Sequence, residues 1–202
     1  IGKIPDYYFQ AIGSGTGAIA AWEANLRLIN DGRFGSNKMK LMVSQNEPFV
    51  IIKQAWEADS RAILPMDDNL ARKQVETIIA KVLSNRKPPY PIIGGLYDAM
   101  KDAGGEVLSA NNEELSQAGK LFEETEGNDI HPASAVALAT LIKAINENKV
   151  EKDAVIMLNI TGGGEEKFKR ENEVIFLEPS HIFDTNPDLE TLKEVLNNLF
   201  NI

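Results

Sequence analysis

Residues 7–22, Tyr-Tyr-Phe-Gln-Ala-Ile-Gly-Ser-Gly-Thr-Gly-Ala-Ile-Ala-Ala-Trp, run from an apolar strand through a glycine-rich turn into an apolar helix. Glycines let a backbone approach a bound group closely and adopt positive φ without Cβ strain. The helix that follows aims its unpaired N–H groups and the positive end of its dipole back at the turn. Ser14 and Thr16 add two hydroxyl donors. Such a turn is a ready anion site, best suited to a phosphate. The glycines do not complete a P-loop, because no Gly-Lys-Ser/Thr follows. A dinucleotide fingerprint would need glycine at position 18, which holds Ala18. The variant ending in alanine keeps NAD binding open, but the nearby acid, Asp31, lies in a helix-ending Asn-Asp-Gly and not at a strand end.

The rest of the chain alternates strand and helix. Tyr7–Ile12 reads as a strand and Ala18–Asn30 as a helix, with Ile19, Trp22, Leu26 and Ile29 at helical spacing and Asp31-Gly32 as its stop. Lys40–Ser44 is a second strand. Pro48–Ala58 reads as a helix with Pro48 in its first turn. Asp67 to Leu83 has helical periodicity, and Asn85–Pro91 is a Pro-rich loop. A helix at Gly94–Ala103, a strand at Glu106–Ser109, a helix at Asn111–Glu126 capped by Asn111 or Asn112, and an apolar helix at Pro132–Asn146 follow. Ala154–Ile160 reads as a central parallel strand, Glu173–Leu177 as an edge strand and Pro187–Phe200 as a closing amphipathic helix. The expected fold class is α/β: an open, mostly parallel sheet with helices on both faces, in a single domain over residues 1–202. Ligands of such sheets sit beyond the C-terminal strand ends.

Composition narrows the function. Apolar residues make up 43% and charged residues 25% of 202 positions, with no apolar run near the ~20 residues that span a bilayer. There are no cysteines, so neither a disulfide framework nor thiolate chemistry is available, which fits a cytoplasmic setting. With two histidines, no metal-binding pattern is present. The formal charge of -9 argues against a nucleic-acid partner.

A second glycine-rich turn, Thr161-Gly162-Gly163-Gly164, follows the strand at Ala154–Ile160 and should share the ligand edge with Gly13–Gly17. Thr161 could offer its hydroxyl to a ring atom of a cofactor, with the glycines leaving room. Asp129 and Ser134 read as caps around the start of the Pro132 helix. His131 and Asn46 are candidates for substrate contact, each with a structural alternative: a surface histidine and a turn cap. Glu165–Glu171 is mixed in charge and reads as a solvated face.

A strand ending in GSGTG, an apolar helix of the type HPASAVALATLIKAI and a strand ending in TGGG occur in that order. Together they resemble the C-terminal part of a fold-type II pyridoxal-phosphate enzyme of the threonine synthase group. Within that group the stretches AIGSGTGAIAAWEANLRLINDGRFG and NITGGG are most similar to the archaeal cysteate synthases. Threonine synthases usually read TGxGLKD at the second turn, and Gly163, Gly164, Glu165 and Glu166 depart from that. The resemblance implies pyridoxal 5'-phosphate as cofactor, with Gly13, Ser14, Gly15, Thr16 and Gly17 around its phosphate and Thr161 at the pyridine nitrogen. It implies a small anionic amino-acid substrate, O-phospho-L-serine, which reacts with sulfite to give L-cysteate on the way to coenzyme M. A homo-oligomer is the expected assembly. The Schiff-base lysine of the family lies in an SxKDR-like segment upstream of GSGTG. No such segment occurs here, and Lys53 and Lys143 stand in the wrong order and context. The chain is therefore expected to be the C-terminal portion of a longer enzyme, inactive alone. Two other readings stay open: a threonine synthase acting on O-phosphohomoserine, and a non-catalytic module binding a phosphorylated ligand.

Overall fold

In a computed structural model, which describes residues 2–184 and 186–201, four strands and eight α-helices alternate along the chain. The chain divides into two compact units, Ile1–Phe168 and Lys169–Ile202. The first holds the sheet, in the order β3-β2-β1-β4, with β1 at Tyr7–Ala11, β2 at Lys40–Asn46, β3 at Glu106–Ala110 and β4 at Ile156–Leu158. Every pairing is parallel, with Phe9 opposite both Met42 and Leu158, and Val43 opposite Val107.

Alternation along each strand sends side chains to opposite faces. Tyr8, Leu41, Val43 and Val107 pack beneath α1 (Thr16–Asp31), α2 (Ile51–Glu57) and α4 (Leu96–Ala103). Tyr7, Phe9, Ala11 and Met42 face the other way, toward α5 (Asn112–Glu126) and α6 (Pro132–Asn146). The sheet is thus covered by helices on both faces. Phe9, Leu41 and Val43 are fully buried, each worth roughly 1.5–3 kcal/mol relative to exposure. No described helix is long and apolar enough to cross a membrane.

Local signals set most boundaries. Gly32 closes α1 in the left-handed conformation and returns its N–H to Leu28 and Ile29. Asn111 and Glu114 form a reciprocal capping box on α5. Pro132 occupies the first turn of α6, where its missing N–H costs nothing.

Four expectations are corrected. The helical periodicity from Asp67 breaks after α3 (Asp68–Thr77), because Asn112 Oδ1 accepts from the Ile79 N–H at 3.1 Å and Asn46 Oδ1 from the Ala80 N–H at 3.0 Å. Only a short 3-10 turn, Lys81–Leu83, remains. Likewise α2 starts at Ile51, past Pro48, because Gln45 Oε1 accepts from the Ile52 and Lys53 N–H groups and fixes the helix start there. Ala154–Ile160 contributes three strand residues at an edge of the described sheet and not at its centre. Asp6 takes the Val155 N–H at 2.7 Å, and Met157 is half-exposed. Glu173–Leu177 forms no strand, and Ile175 and Leu177 are exposed there. In the second unit, α8 (Leu189–Phe200) starts two residues within the expected span, capped by Asp188.

Candidate cofactor site

Because β1 and β4 are parallel neighbours, Gly13–Gly17 and Thr161–Gly164 both leave the sheet at its C-terminal edge. This is the edge at which open parallel sheets bind ligands. The two predicted turns are therefore brought to one side of the molecule.

The first turn is shaped by contacts that leave its helix start without a side-chain cap from Gly15, while the Thr16 N–H donates to Ser14 Oγ at 3.4 Å. Gly15 is the N-cap of α1 with φ 84°, and a Cβ there would also meet Leu96 Cδ2 at 2.5 Å. Gly13 lies against the Val82 carbonyl, which a Cβ would approach to 3.1 Å. The Ser14 and Thr16 hydroxyls are 3.0 Å apart and exposed. No side chain caps α1, and its first turn holds no acid. In contrast, α3 and α5 are capped by Asp67 and Asn111 and carry acids in their first turns. An uncapped helix start, free of carboxylates, with two hydroxyls beside it, suits a phosphate dianion.

The second turn is clasped. Ser134, buried at the start of α6, accepts from the Gly162 N–H at 3.2 Å, donates to the Gly162 carbonyl at 3.0 Å, and lies 3.3 Å from the Thr161 hydroxyl. The Gly162 carbonyl also accepts from the His131 N–H, and the Gly164 N–H donates to the Asp129 carbonyl at 2.7 Å. Ile130 and Gly163 form an antiparallel bridge. The Asp129 carboxylate accepts from the Glu166 and Lys167 N–H groups at the start of α7 (Glu165–Glu171). Thr161 itself is exposed, beside an open cleft of about 290 Å³ lined by Phe122, Asn128, Ile130 and the glycines.

The remaining candidates separate. Asn46 stands at the C-terminal end of β2 but is fully buried and spends its amide on the Ala80 N–H, the Ala110 carbonyl and Asn112. These bonds make it a structural clamp. His131 is the N-cap residue of α6, with Nε2 3.2 Å from Glu165 Oε2. Lys53 pairs with Glu57, and Lys143 with Glu114 and the Ser109 carbonyl. The sequence reading missed Gln10. Its carboxamide fills the space that a Cβ on Gly17 would need, with Oε1 at 2.8 Å and Cδ at 3.1 Å from that position. Gln10 in turn accepts from Tyr8, and Tyr8 from Asn159. A polar residue two positions after Tyr8, on the same face of an otherwise apolar strand, was the available signal.

A model of the family described as "Pyridoxal-phosphate dependent enzyme" matches residues 1–162. The chain belongs to that family. The family's cofactor is pyridoxal 5'-phosphate, and the uncapped α1 start suits its phosphate. Among curated proteins, the cysteate synthase of Methanosarcina acetivorans is 51% identical over 196 residues, covering 96% of this chain and 47% of that protein. The cysteate synthase of Methanocorpusculum labreanum is 52% identical over 174 residues, covering 86% and 42%. That of Methanoregula boonei is 43% identical over 198 residues, covering 98% and 47%. The chain spans a little under half the length of these relatives. Among solved structures, a T.th. threonine deaminase aligns with TM-score 0.54 at 15% identity over 80% of this chain and 50% of its own. Maize serine racemase aligns with TM-score 0.53 at 16% identity over 97% and 47%. At these identities the two structures show a shared fold.

Proposed function

We propose that the protein carrying this chain makes L-cysteate from O-phospho-L-serine and sulfite. In that reaction the Cβ–O bond to phosphate breaks, a Cβ–S bond to sulfite forms, and inorganic phosphate leaves. The observation that carries the reading is the identity, about half of all aligned residues, to several cysteate synthases across most of the chain. The bound cofactor supplies an electron sink for the substrate α-carbon.

The residues of this chain bind and orient. The N–H groups at the start of α1 and the Ser14 and Thr16 hydroxyls would hold the cofactor phosphate within the Gly13–Gly17 turn, where the helix dipole favours negative charge. Thr161 holds the pyridine nitrogen. A hydroxyl there, in place of a carboxylate, would leave that nitrogen without a proton and would suit elimination and replacement at the β-carbon. The Ser134 clasp fixes the turn that presents Thr161. Lys53 and Lys143 pair with Glu57 and Glu114, so neither is assigned the covalent attachment of the cofactor. The same resemblance supports a cytoplasmic homo-oligomer feeding coenzyme M formation.

The test uses the complete natural protein with O-phospho-L-serine and sulfite, and in parallel with O-phospho-L-homoserine. Cysteate and phosphate appearing together in the first reaction is the expected result. Threonine from the second, with no cysteate from the first, would replace this reading by threonine synthase.

A further inference from the structure

We propose that Asn159, Tyr8 and Gln10 form a positioning relay that sets the phosphate-binding turn relative to the Thr161 turn, with the N–H edge of Gln10 completing the cradle. The proposal rests on the cofactor reading above. Tyr8 and Gln10 are two residues apart on β1, so both point to the α1 side of the sheet. The Tyr8 hydroxyl donates to Gln10 Oε1 at 3.0 Å and accepts from Asn159 Nδ2 at 2.6 Å. Asn159 is held in turn, because its N–H donates to the Phe9 carbonyl at 2.9 Å. The relay therefore crosses between two adjacent strands, from the residue two before Thr161 to the carboxamide seated against Gly17.

The direction of donation matters. With Oε1 engaged by Tyr8, Gln10 turns its nitrogen to Gly17, at the first turn of α1. The reverse polarity would turn a carbonyl oxygen toward the first turn of α1, the end of the helix that favours a dianion, and that arrangement is repulsive. Burial raises the Tyr8 hydroxyl above its ordinary range, so it keeps the proton that it donates. Gly17 also gains an explanation. Its φ is not among the positive values, so its lack of a side chain is a matter of room for Gln10 and not of backbone freedom.

The test compares the complete natural protein with Gln10→Met, Gln10→Glu and Tyr8→Phe. Three quantities are read: cofactor retained in equilibrium dialysis, the phosphorus NMR line of the bound cofactor, and thermal unfolding of the cofactor-free form. Gln10→Met removes a neutral donor and should weaken retention about 3- to 10-fold. Gln10→Glu adds a carboxylate beside the phosphate and should weaken it about 10- to 100-fold. Tyr8→Phe should behave like Gln10→Met, and all three should move the phosphorus line. Gln10→Glu retaining cofactor as well as Gln10→Met, with the wild-type phosphorus line, would overturn the relay alone. Should Gln10→Glu fail to fold, Tyr8→Phe decides, and an unmoved line in that variant overturns the relay. A wild-type protein that binds no pyridoxal phosphate would overturn the cofactor site and the relay together.

Discussion

The two glycine-rich turns look alike in sequence and are built in opposite ways. Gly13–Gly17 meets the Leu96 side chain at Gly15, the Gln10 side chain at Gly17, and the Val82–Leu83 backbone at Gly13. Its helix start is left without a side-chain cap. In the second turn Gly162 lies against the His131 ring and Gly163 meets backbone. Gly163 lies against the Asp129 carbonyl and Ile130 Cα, and the Gly162 and Gly164 N–H groups are spent on Ser134 and Asp129. A glycine-rich turn at a strand end can therefore keep its donors for a ligand or use them to lock itself to a neighbour. What distinguishes the two is where the backbone N–H groups go.

The sharpest way to break this comparison is Gly163→Ala. A Cβ there would meet Ile130 Cα at 2.9 Å and crowd the Asp129 carbonyl still more closely. Both are backbone atoms, so the clasp itself must open. Overpacking of this kind is expected to cost about 3 kcal/mol, read as a fall in unfolding free energy in denaturant titration. Unchanged stability would mean that the clasp does not fix the second turn.

Gly17→Ala is the matched change in the first turn, and its effect on stability should be small. The Cβ meets the far end of the Gln10 side chain, which can rotate away. Alanine also gains about 1 kcal/mol over glycine in a helix. Net stability should stay within about 1 kcal/mol of wild type, while cofactor retention falls because Gln10 is displaced from the cradle. A variant that loses stability as Gly163→Ala does would erase the distinction between the turns.

Much of the fold around the two turns was legible beforehand, and the part that was not has a physical cause. Alternation of apolar strands and helices is local, so the parallel sheet and the span of α6 followed directly from periodicity and Pro132. The two turns could be assigned to one edge because parallel strands share an end. Long-range capture of backbone donors was hidden. Asn46 and Asn112 stop a helix near Ile79 from positions more than thirty residues away in sequence. Nothing local to Asp67–Leu83 announces this. The apolar run at Ala154–Ile160 reads as central because hydrophobicity reports burial and not the number of strand neighbours. Ser134 could be read as a cap for its own helix, but its hydroxyl is spent on the Gly162 backbone.

The smallest expected effect sharpens the link between the turns. Tyr8 has its hydroxyl pKa raised above 10.0, first by burial, with the Asn159 hydrogen bond pulling the other way. A group whose folded pKa lies above its unfolded one contributes stability that is complete below the unfolded value and is lost as pH rises through the folded one. The loss therefore begins near pH 10.0 and deepens above it. Tyr7 and Tyr90 are raised as well and add to the same alkaline decline, so the contribution of Tyr8 is read as a difference. Unfolding free energies of wild type and Tyr8→Phe are compared at about pH 8 and about pH 11. At the lower pH the variant is the less stable, having lost a hydroxyl that both donates and accepts. At the higher pH the gap narrows, because the variant has no Tyr8 proton to lose. A gap that stays constant across this range would mean that the Tyr8 hydroxyl is hydrated in the folded protein, and would remove the middle member of the connection between the two turns.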